Sequence, residues 1–215
     1  MKFAFYVSGN SGRFRKVLKS KNHDLLKSTK LVVSDSISNS DIAEVLSSLS
    51  IAYHCFDFDT LHSDPKERNI ILSELLLKEF LKHEIDYCFC FGNNLLTGDL
   101  LFEYKNRIIN FHPSILPLFP GRKSIDKAVK EGAFLLGNTA HFIDDGIDSG
   151  PIIMQSITSA RVFFEQGYDG ILDAQLKMVN DIYKALSSNK LYFQEGKVVI
   201  DGYSYNKTYF VPDLR

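Results

Sequence analysis

The run Asp86-Tyr-Cys-Phe-Cys-Phe91 constrains the fold most. From Tyr87 onward every side chain is apolar or aromatic, so neither face of the segment is polar. A strand buried on both faces belongs inside a parallel sheet, and such sheets are covered by helices on both sides. The run predicts a central parallel strand and an α/β architecture. Gly92-Asn93-Asn94-Leu95-Leu96 follows at the strand's C-terminal end, the end at which open α/β sheets bind ligands.

The rest of the chain fits that architecture. Phe3 to Val7 reads as a strand, Ser8 to Arg13 as a Gly-containing loop and Phe14 to Leu18 as the start of a helix. This order aims backbone N–H groups and a positive dipole end at an anion, although many such loops merely turn the chain. Lys30–Ser34 and Ile51–Phe56 are further strands, separated by a helix starting at Ser40 with Asn39 or Ser40 as its cap. Residues Asp57, Asp59, His62 and Asp64 read as a solvated loop, and His54 as a strand-face residue rather than a ligand. Apolar residues at Ile70, Leu72, Leu75, Leu76 and Phe80 predict a helix from Pro65 to His83.

Downstream, Arg107–Asn110 predicts a strand and Lys123–Glu131 a helix. The runs Gly137–Asp144 and Pro151–Ser156 predict neighbouring strands that flank a turn at Asp148. Gly167–Ser187 predicts a long amphipathic helix, and Leu191–Phe193 with Lys197–Ile200 a terminal hairpin around Glu195-Gly196. Without repeats or a linker, residues 1–215 read as a single domain, long enough for a full core.

A net charge of −1 argues against a nucleic-acid or membrane partner. The three cysteines, Cys55, Cys88 and Cys90, fall in apolar strand-like runs, which predicts buried thiols rather than a metal site or disulfide. No apolar run reaches membrane-spanning length and the N-terminus lacks a signal-peptide pattern, so a cytoplasmic location is expected.

Chemistry concentrates between Asn110 and Asp148. Asn110-Phe-His112 closes an apolar run, and on an extended backbone both polar side chains share one face. Pro113, Pro117 and Pro120 stiffen the exit and keep it from becoming helix. The Gly-flanked turn Asp144-Asp-Gly-Ile-Asp148-Ser-Gly150 brings a carboxylate back toward the imidazole. Each residue alone is also ordinary loop chemistry; the combination is what points to acid–base work.

That combination resembles the folate-dependent formyltransferases. Their shared Asn-x-His-x-Ser-x-Leu-Pro signature is here Asn110-Phe-His112-Pro-Ser114-Ile-Leu116-Pro117, followed by Gly121 and by Asp148-Ser-Gly150. His141-Phe-Ile and Val199-Ile-Asp-Gly202 look like the purine-pathway branch, which formylates glycinamide ribonucleotide. The resemblance implies a Rossmann-like fold with a mostly parallel twisted sheet flanked by helices and a short C-terminal hairpin. It implies 10-formyltetrahydrofolate as formyl donor, no metal, and Asn110, His112 and Asp148 as the catalytic set. Leu95, Leu96, Phe142, Ile143, Asp144 and Asp148 would border the folate. Gly9, Asn10, Ser11, Gly12 and Arg13, with Arg68 from the Pro65 helix, would hold the acceptor's phosphate.

Two departures bear on the acceptor and one on the folate. The family loop Ser-Gly-x-Gly-Ser-Asn becomes Ser8-Gly9-Asn10-Ser11-Gly12-Arg13; Asn93-Asn94 replaces Met-Arg beside the folate; and Val179 stands where a ribose-contacting Glu is usual. Glycinamide ribonucleotide is the first expectation and a nucleotide-linked amino sugar the second. A non-catalytic folate- or nucleotide-binding protein is the reading of another class. Methionyl-tRNA is disfavoured by the missing basic face. The hydrolase branch, which carries an N-terminal regulatory domain, is disfavoured because the catalytic domain opens at Met1. A monomer or homodimer acting on a small molecule is expected.

Overall fold

The structure, a computed structural model, describes residues 1–20 and 22–212. The chain opens with β1 (Phe3–Val7), α1 (Gly12–Lys19), α2 (His23–Ser28) and β2 (Thr29–Ser34). Next come α3 (Ile42–Ser48), β3 (Ala52–Cys55), α4 (Phe58–Leu61), α5 (Pro65–Lys82), β4 (Tyr87–Phe91) and α6 (Asp99–Glu103). It continues through β5 (Ile108–His112), α7 (Ser124–Lys130), β6 (Leu135–Phe142), β7 (Ile152–Ser159), α8 (Ala160–Ser187), β8 (Leu191–Gln194) and β9 (Lys197–Ile200). Seven strands form one sheet in the order β3-β2-β1-β4-β5-β6-β7. The pairs β1–β2, β1–β4, β2–β3 and β4–β5 are parallel. Strand β7 runs antiparallel to β6, and β8 with β9 makes the hairpin. This is the expected α/β, Rossmann-like arrangement. Among the described residues no helix is long and apolar enough to cross a membrane.

Contacts group the chain into two compact units. The first holds residues 1–110 and 143–145, the second 111–142 and 146–215.

In the first unit β1 is buried at all five positions, as a strand with a parallel neighbour on each side requires. Alternation sends Phe3 and Phe5 to one face, where they pack on Phe89, and Phe5 packs on Phe14 of α1. Ala4 and Tyr6 point the other way, into a cluster with Cys88, Cys90, Leu72, Leu76, Phe80 and Leu100. Each fully buried Phe contributes roughly 2–3 kcal/mol. An eight-residue helix such as α1 is marginal alone, so this packing rather than helix propensity holds it in place. Helix α5 starts where Pro65 predicts, with the Asp64 side chain accepting from the Lys66 N–H.

Four local readings are corrected. Asn39 does not cap a helix: it is buried, its Nδ2 donating to the Gly9 carbonyl and to Ser34 Oγ, and α3 begins only at Ile42. The solvated loop at Asp57 to Asp64 contains α4, one helical turn. Cys55 is exposed, because β3 is the last strand of the sheet, whereas Cys88 and Cys90 are buried. The strand leading to the Asn110 motif runs on through His112.

In the second unit β6 is buried almost throughout, and α7 and α8 share a cluster of Ile125, Ala128, Leu136, Ala160 and Ile171. Gly137 is required in β6, because a Cβ there would lie 2.0 Å from the Ser156 carbonyl oxygen. Helix α8 begins seven residues before the predicted start at Gly167, with Ser159 accepting from the Arg161 N–H. Gly167 itself has φ 66° and ψ −153° and breaks α8 into two helices.

Candidate active site

In the second unit His112 ends β5 almost fully buried. Its Nδ1 lies 3.2 Å from Asp148 Oδ2 and its Nε2 3.0 Å from the Phe119 carbonyl oxygen. Both ring nitrogens therefore face oxygens, an arrangement the imidazolium satisfies twice and the neutral ring once. Burial pushes the His112 pKa below its usual value, opposed by the Phe119 carbonyl and the Asp148 charge. Burial thus favours the neutral ring, while both neighbouring oxygens are placed to accept from the protonated one.

Asp148 reaches this position through a left-handed backbone conformation, φ 52°, that Asp tolerates better than most residues. Its Oδ2 accepts the Gly121 N–H at 2.7 Å, and its Oδ1 lies 3.5 Å from His141 Nε2. Burial works against the Asp148 carboxylate. The hydrogen bonds from His141 and Gly121 and the nearby imidazole charges outweigh it and hold the pKa below the ordinary carboxylate range. His141 is buried on β6, its Nδ1 2.9 Å from the Phe142 carbonyl oxygen. Asp148 is thus held ionised between two imidazoles.

The loop carrying Phe119 is fastened by groups sequence reasoning missed. Thr139 Oγ1 donates to the Ser114 carbonyl at 2.7 Å and accepts the Leu116 N–H at 3.0 Å. Gln155 Nε2 donates to the Leu116 carbonyl and to Thr139 Oγ1, each at 2.9 Å. Beneath, Gln175 Nε2 donates to the Phe111 carbonyl at 3.2 Å and to Asn138 Oδ1 at 2.9 Å. Asn138 in turn donates to Ile171 O and Ser156 Oγ. The available signal was polar residues in apolar contexts: Asn138-Thr139 inside a buried strand, and Gln175 on the core face of α8.

In the first unit Asn110 lies half-buried on β5 opposite Cys90. The loop after β1 has Gly9 at φ 57° and Ser11 at φ 54°, and Ser11 stands at the N-terminus of α1 without capping it. Ser11 Oγ is buried and makes no hydrogen bond among the described residues. Asn10 Oδ1 accepts the Gly12 N–H at 3.1 Å. Arg13 turns inward, Nη2 donating to the Phe91 carbonyl at 2.9 Å with the guanidinium 4.8 Å from the Phe91 ring centre. Burial lowers its pKa, yet it stays a fixed cation. Arg68 donates to the His62 carbonyl and pairs with exposed Asp59 at 2.9 Å.

The connection after β4 pairs an exposed Leu95 with a nearly buried Leu96, and Ile143 packs on the cluster containing Leu96. Asp144 is partly exposed. In the second unit Phe142 is buried and stacked on Phe193 at 5.7 Å, so it offers backbone rather than ring. Buried Asp35, unremarked in the sequence, orders the first unit's loops: it accepts from Tyr6, Ser8 and Asn94. Asn94, read from the sequence as a lost folate contact, is held on Asp35 by its side chain.

A doubly wound sheet carrying a buried imidazole–carboxylate pair at a strand's C-terminal end places the chain among the α/β enzymes. A family model described as "Formyl transferase" matches residues 1–169. The phosphoribosylglycinamide formyltransferase of Bacillus subtilis is 33% identical over 160 residues, 72% of this chain and 77% of that protein. The formyltetrahydrofolate deformylase of Haemophilus influenzae is 36% identical over 97 residues, 45% of this chain and 33% of that protein. The crystal structure of glycinamide ribonucleotide transformylase 1 from Symbiobacterium toebii superposes with a TM-score of 0.77 at 22% identity, covering 93% of each chain, a likeness of fold. The chain belongs to the formyl transferase family and is an enzyme that transfers formyl groups. The family's cosubstrate is 10-formyltetrahydrofolate.

Proposed function

We propose that this protein, acting as one catalytic domain over residues 1–215, transfers the formyl group of 10-formyltetrahydrofolate to the amine of glycinamide ribonucleotide, a step of purine synthesis. The observation that carries the acceptor is the 33% identity with the Bacillus subtilis phosphoribosylglycinamide formyltransferase over 72% of this chain. Buried Ser11 Oγ without a partner, at the N-terminus of α1, supports a phosphate seat in the loop Gly9, Asn10, Ser11, Gly12 and Arg13. Arg68 adds a second cation, because its pair with exposed Asp59 is worth under about 1 kcal/mol and yields to a phosphate.

The amine attacks the formyl carbon directly, giving a tetrahedral intermediate. Asn110 donates to the oxyanion from its carboxamide. His112 takes the proton of the attacking amine and delivers it to the folate nitrogen as the bond from that nitrogen to the formyl carbon breaks. Asp148 orients the ring and stabilises the imidazolium between those two transfers. His141 and Gly121 keep Asp148 ionised and in place. Leu95, Leu96, Phe142, Ile143, Asp144 and Asp148 border the folate, with exposed Leu95 offering apolar surface to the pteridine.

A second reading, hydrolysis of the donor, is favoured by the 36% identity with the Haemophilus influenzae deformylase. The test is tetrahydrofolate release with glycinamide ribonucleotide, with nucleotide-linked 4-amino sugars, and with no acceptor. Release that depends on glycinamide ribonucleotide supports the proposal. Release with an amino sugar alone, or without any acceptor, overturns it.

A further inference from the structure

We propose that His54, Glu79 and His83 form a binding site for a divalent first-row transition ion, with Zn²⁺ as the probe ion. The cluster lies wholly in the first unit and has no part in the formyl-transfer chemistry. His54 comes from β3; Glu79 and His83 lie one turn apart on α5 and just beyond its end. Their ligand atoms all fall within 4.8 Å of one another.

Three nitrogens converge on one oxygen, Glu79 Oε2: His54 Nε2 at 3.2 Å, Lys82 Nζ at 3.4 Å and His83 Nε2 at 3.5 Å. Charge-assisted hydrogen bonds close to roughly 2.7–2.9 Å, so these contacts are too long to be good ones. The edge of a tetrahedron around zinc is different: bonds of about 2.0–2.1 Å separate adjacent ligand atoms by about 3.3–3.4 Å. The two edges that meet at Glu79 Oε2, 3.2 and 3.5 Å, bracket that length, and the two imidazole nitrogens lie within 4.8 Å of each other. His83 Nε2 is buried and has no polar neighbour among the described residues nearer than Glu79 Oε2 at 3.5 Å, beyond the reach of a good hydrogen bond.

Two imidazoles and a carboxylate leave a fourth position to water. Glu79 is almost fully buried while the His54 side chain keeps 32% exposure, so an ion enters from the His54 side. Lys82 holds the negative charge when no ion is present. Its side chain is 57% exposed and withdraws into solvent at little cost. An ion here would tie β3, the last strand of the sheet, to the helix covering it.

The experiment uses tag-free full-length protein, stripped with chelator and titrated with Zn²⁺ against a chromophoric competitor. Co²⁺ is read separately by its d–d absorption. Wild type should bind one ion per chain, with a higher Tm that EDTA reverses. His54→Gln and His83→Gln should each weaken binding by more than the roughly 10–100-fold caused by losing an outer-shell partner. Lys82→Met, exposed and safe for folding, should bind at least as tightly as wild type. His112→Asn should leave the ion bound, which separates this cluster from the His112–Asp148–His141 group. No stoichiometric binding in wild type overturns the proposal. So does binding retained in His54→Gln, weakened in Lys82→Met, or abolished in His112→Asn.

Discussion

Replacing Asp148 by Asn removes one charge from a site that stays hydrogen-bonded. The amide oxygen can keep the Gly121 N–H, now at 2.7 Å, and face His112. The new NH₂ group then faces His141 Nε2, 3.5 Å away; this nitrogen donates to the carboxylate in the wild type and can turn acceptor with the ring's proton on Nδ1, toward the Phe142 carbonyl. The fold should survive with a small change in Tm. What disappears is the attraction between a carboxylate and the His112 ring at 3.2 Å. With an effective dielectric constant near 20, two unit charges at that distance interact by roughly 5 kcal/mol. The imidazolium is only partly formed in the transition state, so about half of this or somewhat more enters the barrier. At about 1.4 kcal/mol per tenfold, kcat should fall roughly 10²–10³-fold. The KM for the acceptor should hold, since the proposed phosphate seat does not include Asp148. Initial rates of tetrahydrofolate release at saturating substrates measure the loss, and circular dichroism checks the fold. A folded Asp148→Asn enzyme with kcat within about threefold of wild type refutes the reasoning.

Other expectations come from the same structure. Ser11→Ala removes a buried hydroxyl that has no partner, so stability should hold, while the KM for a phosphorylated acceptor should rise about tenfold, the value of one charge-assisted hydrogen bond; an unchanged KM would show that the loop is not the phosphate seat. Gln175→Leu removes the Nε2 donor to the Phe111 carbonyl and Asn138 Oδ1 and should cost ~2 kcal/mol, read from urea midpoints; a neutral result would mean that these two hydrogen bonds carry no stability. Burial depresses the His112 pKa below the unfolded chain's value of about 6.5, so between the two the unfolded chain binds more protons than the folded one, and stability should rise with pH through that window. His112→Gln should flatten the rise, and identical pH slopes in the two proteins would contradict the assignment.

Much of the fold was legible because its signals are local. The two-sided apolarity of Tyr87–Phe91 announced a covered parallel strand, the spacing from Leu72 to Phe80 a helix, and Glu195-Gly196 a hairpin turn. The long helix was read from Gly167, where the structure breaks α8, but the helical stretch from Ala160 to that break was not legible. Nor was the exposure of Cys55, since an apolar strand looks the same at the edge of a sheet as inside it. Within the site, the turn that returns Asp148 to His112 was readable from its glycines and the resemblance. The supports were not. Asp35, Thr139, Gln155 and Gln175 take their meaning from partners distant in sequence, and an isolated polar residue in an apolar run does not name its partner. His54 shows the same limit: next to apolar strand residues it reads as a surface imidazole, and only the fold brings Glu79 and His83 to it.

The central claim is that the formyl group passes from folate to the amine of glycinamide ribonucleotide. Following a carbon-13 formyl label by NMR, from 10-formyltetrahydrofolate mixed with enzyme and glycinamide ribonucleotide, tests it most directly. The account predicts label in an amide on the acceptor, with little formate and no turnover when the acceptor is omitted. Label released as formate at the same rate with or without the acceptor would contradict it and make water the nucleophile.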